Sequence, residues 1–377
     1  MTLLVLSNGA GEDAIAASIA AHLRSLLPQL QIAAFPLVGA GAAYPASIPR
    51  WGDLSAPPSQ GLSNQSWRLW WRDLRHGLLG RLLSQWQTLR GQRRAVSAVL
   101  AVGDLVPCAL AGLAGLSPIY FVGTAKSVYH HAYSWPERLL LQSWVTHSFV
   151  RDQPTAQALQ QAGLKASYLG NPMMDDTVPR GLDLGLTGPV LALFPGSRAQ
   201  APHELPRLLR IWQRVHQEYP CQAAVAVADG LPVESLASPG WSLSQANEPP
   251  GWVASLQGPV GPPVHLVRRA LGDLLRVSQL ALGQAGTAHE QAVGAGVPVV
   301  SMHPNPHGPL GWYRGRQKGL LGESLVVVED REEAAADTLL RLFLDPPERS
   351  RLAQIGRQRM GEPGGARHIA EWLAQRL

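Results

Sequence analysis

Short, continuous apolar runs recur along the chain. After most of them comes a Gly-rich or polar turn, then a stretch with apolar residues three and four apart. Continuous runs mark strands buried on both faces of a parallel sheet, and the three-to-four spacing marks helices that cover it. The first such unit is a strand at 5–6, a turn at 7–12, an amphipathic helix at 13–27 and a strand at 31–35. Further strands are predicted at 95–102, 119–122, 145–150 and 166–169, with a short helix at 154–162. A second series opens with a strand at 190–194, a helix at about 203–219, and strands at 223–228 and 264–266. A helix at 268–277, strands at 279–282, 299–302 and 326–328, and helices at 331–343, 346–360 and 366–377 complete it. The Pro-rich stretch 230–263 reads as irregular, and 303–315, rich in His, Gly and Pro, as a binding loop.

This alternation predicts an α/β protein. Its 377 residues exceed one ordinary core, so two domains are expected, 1–176 and 186–360, with 361–377 returning to the first. No segment approaches the ~18 uncharged apolar residues of a membrane span, and the N-terminus reads as a buried strand rather than a signal peptide. Cys108 and Cys221 lie far apart in apolar surroundings, as reduced core residues of a cytoplasmic protein do. No His, Cys or carboxylate cluster has metal-ligand spacing; the adjacent His130 and His131 point in different directions. A net charge of +5 invites an anionic partner; the scattered arginines give nucleic acid little support, and one local segment, 67–94, makes an anionic membrane surface the better candidate.

Three segments carry candidate chemistry. In 281–300, a strand, a Gly-rich turn, a helix and a strand form a βαβ unit whose helix N-terminus suits a diphosphate. An ordinary strand–helix turn fits the same residues, and neither a dinucleotide nor a P-loop fingerprint is present. The first turn, residues 7–13, has a nucleotide-fold rhythm but carries Glu12 and Asp13 beside Gly11. Carboxylates there repel phosphate, so this turn suits an acceptor or a general base. In 67–94, Trp67, Trp70, Trp71, Leu74, Leu78 and Leu82 recur at helical steps among Arg68, Arg72, Arg75 and Arg81. That is the make-up of a helix lying in a membrane interface, or of one packed on the sheet with snorkelling arginines.

Taken in register, LFPGSR at 193–198, YLGNPMMDD at 168–176 and GQAGTAHEQAVGAGVPVV at 283–300 resemble the lipid-A-disaccharide synthase family, and most closely its cyanobacterial synthase-related branch. The resemblance spans nearly the whole chain. It implies a GT-B fold, two Rossmann-like domains facing across a cleft, and metal-independent, inverting transfer of an acylated glucosamine from UDP to a lipid acceptor. It also implies a cytoplasmic protein bound to the inner face of the plasma membrane, with no cofactor.

The family's roles fall on residues here as follows. Arg198, with Ser197 beside it, meets the UDP phosphates; a guanidinium fork suits a diphosphate. Gly286, Thr287 and Ala288 occupy the family's diphosphate turn. Asp104, ending a first-domain strand, stands where the family places its base, and it also suits a helix cap; Glu12 and Asp13 are rivals. The family's ribose-binding glutamate falls on Gln291, with Glu290 one step earlier. Lys126 either meets an acidic acceptor or caps a helix, and Gln317 lies in the loop facing the donor. Two other functions stay open: a UDP-N-acetylglucosamine 2-epimerase-like enzyme, and a silent relative that binds UDP-sugar or lipid.

Overall fold

Both faces of a parallel strand must be covered, and the first half of the chain shows how one run of residues serves two cores. In the computed structural model, which describes residues 1–52, 78–196, 200–245, 249–303 and 309–377, Leu3 and Val5 enter one buried cluster. The intervening Leu4 and Leu6 enter another on the opposite face. The chain divides into two compact units, Met1–Met173 with Pro363–Leu377, and Met174–Glu362.

The first unit contains β1 (Thr2–Ser7), α1 (Ala10–Leu26), β2 (Gln31–Pro36), α2 (Leu78–Gln92), β3 (Ala98–Gly103), α3 (Leu105–Leu113) and β4 (Ile119–Gly123). It continues with α4 (Trp135–Trp144), β5 (His147–Val150), α5 (Gln153–Gln161) and β6 (Ala166–Ser167). Its sheet is parallel, in the order β2-β1-β3-β4-β5-β6. Helix α1 begins at Ala10, so Gly11 and Glu12, expected in the turn, lie in its first turn. It stops at Leu27, which Pro28 keeps out of the helical region (φ −129°, ψ 77°). Helix α4 was not expected. Ser134 and Glu137 form a reciprocal capping box at its start, with a proline in its first turn.

Most of the tryptophan–arginine face expected in 67–94 lies outside the described residues. The described part, α2, packs on the sheet: Leu89 is fully buried, Leu82 and Trp86 lie against the same core, and Gln85 Nε2 donates to Leu37 O (2.9 Å).

The second unit contains β7 (Val190–Phe194), α6 (Ala201–Glu218), β8 (Gln222–Ala226), β9 (Ser242–Gln245), β10 (Trp252–Gln257), β11 (Val264–Val267) and α7 (Leu271–Val277). Then come β12 (Leu280–Gly283), α8 (Thr287–Ala295), β13 (Val299–Met302), α9 (Pro309–Leu321), β14 (Leu325–Val328), α10 (Glu332–Leu344) and α11 (Pro346–Met360). The strand order is β14-β13-β12-β7-β8-β11-β10-β9, parallel except where β10 meets β11 and β9. Those antiparallel strands fill part of the stretch expected to be irregular. In β10 only alternate residues, Ala254 and Leu256, are fully buried, so no continuous apolar run announces it. The expected 303–315 loop is also shorter, because α9 starts at Pro309.

Helix α12 (Gly365–Ala374) belongs to the first unit, with Ile369, Ala370 and Leu373 entering the core that α1 lines with Ile15, Ile19 and Leu23. Two Rossmann-like α/β sheets, with a terminal helix that rejoins the first, make this a GT-B fold. No described helix is long and apolar enough to cross a membrane.

Candidate functional site

In open α/β sheets the place for a ligand is the crevice at the carboxyl ends of the strands where the strand order reverses. In the first unit that place is between β1 and β3. There Asn8 Nδ2 donates to Asp104 Oδ1 (2.7 Å), and the same oxygen accepts the Val106 N–H (2.9 Å), making Asp104 the N-cap of α3. Gly103 has φ +132°; a Cβ on it would stand 2.1 Å from Asn8 Oδ1 and 3.3 Å from Glu12 Cγ. Only glycine accepts that backbone and lets both side chains close over it. From β4, Thr124 Oγ1 donates to Glu12 Oε1 (3.4 Å), while Arg151 at the end of β5 donates to Thr124 O (3.1 Å). Glu12 and Asp104 therefore come to one sheet edge.

Asp13 does not join them. One residue further round α1, it is buried and accepts from Ser7 Oγ (2.5 Å), which also bonds Tyr44 Oη (2.7 Å). Burial raises its pKa to about 6; the Ser7 bond and Arg50 pull it down, and Glu12 adds to the rise. This carboxyl belongs to the core of the unit, a correction to its place among the candidate bases. Gly11 is exposed in the first turn of α1 with open space around it. Two acidic residues, Glu12 and Asp13, already lie in that first turn, which disfavours a further anion there. Lys126 lies 2.7 Å from the Glu137 carboxylate, the residue that caps α4.

In the second unit the order reverses between β7 and β12. The strands nearly touch: a Cβ on Gly283 would lie 2.3 Å from Phe194 O. Beyond Gly283 the chain turns at Gln284-Ala285-Gly286 and enters α8 with Gly286 as N-cap and Thr287 exposed. First-turn N–H groups of a helix have no partner within it, which is what a diphosphate requires. Ser197 and Arg198, which follow β7, lie outside the described residues.

A buried polar network backs the turn. Arg314 on α9 donates from Nη2 to Gln284 Oε1 (2.8 Å) and from Nη1 to Gln317 Oε1 (2.6 Å), and it lies 2.8 Å from His289 Nδ1. His289 Nε2 faces the Ala285 N–H (3.2 Å), Gln317 Nε2 donates to Gly286 O (2.8 Å), and Ser301 Oγ donates to Gly283 O (2.8 Å). Burial, then the guanidinium, hold the His289 pKa well below its usual value against the Gln317 bond, so the ring is neutral. Gln317 is thus on a helix, holding the turn from behind, rather than in a loop facing a ligand. Ala288 and Glu290 are half-buried on α8, whereas Gln291 is buried.

Asn8, Thr124 and Arg151 were not singled out from the sequence, although each lies one or two residues beyond a predicted strand, and that position was the available signal. Gln284, His289, Ser301 and Arg314 were missed as well; His289 and Arg314 are 25 residues apart, and no local pattern joins them. Among the described residues, no group of His, Cys, Asp and Glu is arranged to hold a metal ion.

No protein-family model matches the chain, and neither does any curated protein sequence. Solved structures do. CalG4, the calicheamicin glycosyltransferase, is similar over 100% of this chain and 98% of its own, with TM-score 0.61 and 15% identity. MurG from Acinetobacter baumannii is similar over 100% of both chains, with TM-score 0.56 and 13% identity. UDP-GlcNAc 2-epimerase from Neisseria meningitidis, solved with UDP-GlcNAc bound, covers 100% of this chain and 99% of its own, with TM-score 0.54 and 12% identity. At these identities the likeness is one of fold.

Proposed function

We propose that this chain is an inverting glycosyltransferase that moves a glucosamine-type sugar, acylated as in lipid A disaccharide synthesis, from UDP to a lipid acceptor. The observation that carries this reading is the turn at 283–288, at the strand-order reversal of the second unit, fixed from behind by buried polar side chains. There the donor's diphosphate takes N–H groups from Gly286, Thr287 and Ala288, and Arg198 adds its guanidinium. Glu290, half-buried where Gln291 is buried, is the better placed to meet the ribose hydroxyls.

The acidic edge of the first unit supplies the base. Asp104 Oδ1 caps α3 and accepts from Asn8, and Glu12, which accepts from Thr124 at the same edge, is the carboxylate this reading assigns to proton removal. In the reaction Glu12 takes the acceptor hydroxyl proton, and the oxygen forms its bond to the anomeric carbon. The bond from that carbon to the diphosphate breaks on the opposite face, its electron pair leaving with UDP. The helix dipole and the guanidinium stabilise the leaving charge without a metal ion, so turnover should survive a chelator. An anionic membrane surface at the cytoplasmic face is the proposed home of the acceptor, reached through 67–94.

The test mixes the protein with UDP-diacylglucosamine and a monosaccharide lipid acceptor and measures released UDP. Release that depends on the acceptor is expected; no release with any UDP-sugar overturns the reading. The likeness to an epimerase carrying UDP-GlcNAc favours a second reading. Conversion of UDP-GlcNAc to its 2-epimer without an acceptor, followed by NMR, would establish it instead.

A further inference from the structure

We infer that Arg314, Gln317 and His289 are positioning residues that hold the 284–287 turn in the shape that receives the donor's diphosphate; this rests on the reading above. Two backbone carbonyls and one side chain of the turn are held from α9. The Gly286 carbonyl accepts from Gln317, the Gln284 amide oxygen accepts from Arg314, and Arg314 Nη1 also reaches Ala285 O (3.4 Å). From α8, His289 turns a ring nitrogen to the Ala285 N–H.

Each of these contacts takes a group that would otherwise point at random into the mouth of the turn. With Gly283 O held by Ser301, and Gln284 Nε2 directed to Met302 O (3.3 Å), the first two residues of the turn are tied to strand β13 as well. At the start of α8 the first-turn N–H groups have no acceptor within the helix itself. Arg314, His289 and Gln317 are themselves buried, at 4%, 0% and 2% exposure, so they act on the ligand through the turn. A guanidinium suits this task because its planar fork bonds several oxygens at fixed angles, which an ammonium cannot copy.

The decisive variant is Gln317→Glu. It keeps an acceptor oxygen for Arg314, and even gains an ion pair, but it cannot donate to Gly286 O. We expect its melting temperature to match or exceed that of the parent while UDP binding, read by calorimetry, weakens by about tenfold, the usual scale for one lost buried hydrogen bond. Arg314→Lys should weaken UDP binding less than Arg314→Gln. Once turnover is measurable, both should raise the KM for the donor and leave that for the acceptor unchanged.

If the parent binds UDP and Gln317→Glu binds it equally well, the positioning role is overturned and the donor site stands. If Gln317→Glu loses affinity only together with its folding, the proposal is also overturned, because the side chain then serves stability. If the parent binds no UDP or UDP-sugar, the donor reading falls, and this inference with it.

Discussion

Adjacent carboxylates can serve opposite purposes, as Glu12 and Asp13 do. A helix rotates successive residues by about 100°, so one reaches the sheet edge and the other the core. The spacing of a sequence announces the acidic turn but not which carboxylate faces out, because that depends on where the helix begins. Asp13, with its pKa raised to about 6, binds its proton more tightly in the native state than in the unfolded chain. It therefore favours the fold below about pH 4 and loses that contribution as pH rises through 6. Against Asp13→Asn, the parent should lose urea stability between pH 4 and pH 6, by on the order of 3 kcal/mol in all. A flat difference across that range would show that the carboxyl is not buried in solution. At the sheet edge, Glu12→Gln should lower kcat by about 10²–10⁴ with UDP affinity unchanged. Asp104→Asn keeps both the cap and the Asn8 bond and should cost less than about tenfold; the reverse order would transfer the base to Asp104.

Elements were legible where a single physical rule dominates. Strands buried on both faces, such as Val190–Phe194 and Ala98–Gly103, stand out as unbroken apolar runs. The edge strand Ser242–Gln245 has no such run, because its side chains are mostly solvated. Helix α4 could have been read from its start, where Ser134 and Glu137 stand three residues apart around a proline, a pairing whose meaning is local. Helix α9 could not: Gly and Pro crowd its beginning, and tertiary packing overrides that poor propensity. Its place behind the 284–287 turn is accordingly invisible in sequence. Between elements, β7 and β12 approach so closely that Gly283→Ala should push Phe194 away. The expected result is a loss of about 1–3 kcal/mol in urea unfolding, together with weaker UDP binding. Parent-like values for both would mean that the strands part without cost.

At the scale of the whole molecule, the two-series rhythm was readable, and the terminal helix was expected over 366–377 and is found at Gly365–Ala374. The sequence placed the boundaries at 176 and 360, where the units divide after Met173 and after Glu362. Surface chemistry at this scale bears on the proposed membrane partner. Leu83, Val106, Leu113, Trp135 and Leu139, all on the neighbouring helices α2, α3 and α4 of the first unit, are exposed. Vesicles containing anionic lipid should sediment the protein at low salt and release it progressively at high salt, and Trp135→Ser should weaken the binding. Equal sedimentation with uncharged vesicles would remove the electrostatic part of that reading.

Because α12 completes the core that β1 and α1 begin, the first unit is assembled from segments separated by the entire second unit. During translation, Ile15, Ile19 and Leu23 emerge long before Ile369, Ala370 and Leu373 exist to cover them. The later-made unit can reach its native state first, against the usual order in which domains mature from the N-terminus. Ribosome-bound chains stalled just before Pro363 should therefore carry a protease-resistant middle and a digestible beginning, and release of α12 from the exit tunnel should protect both.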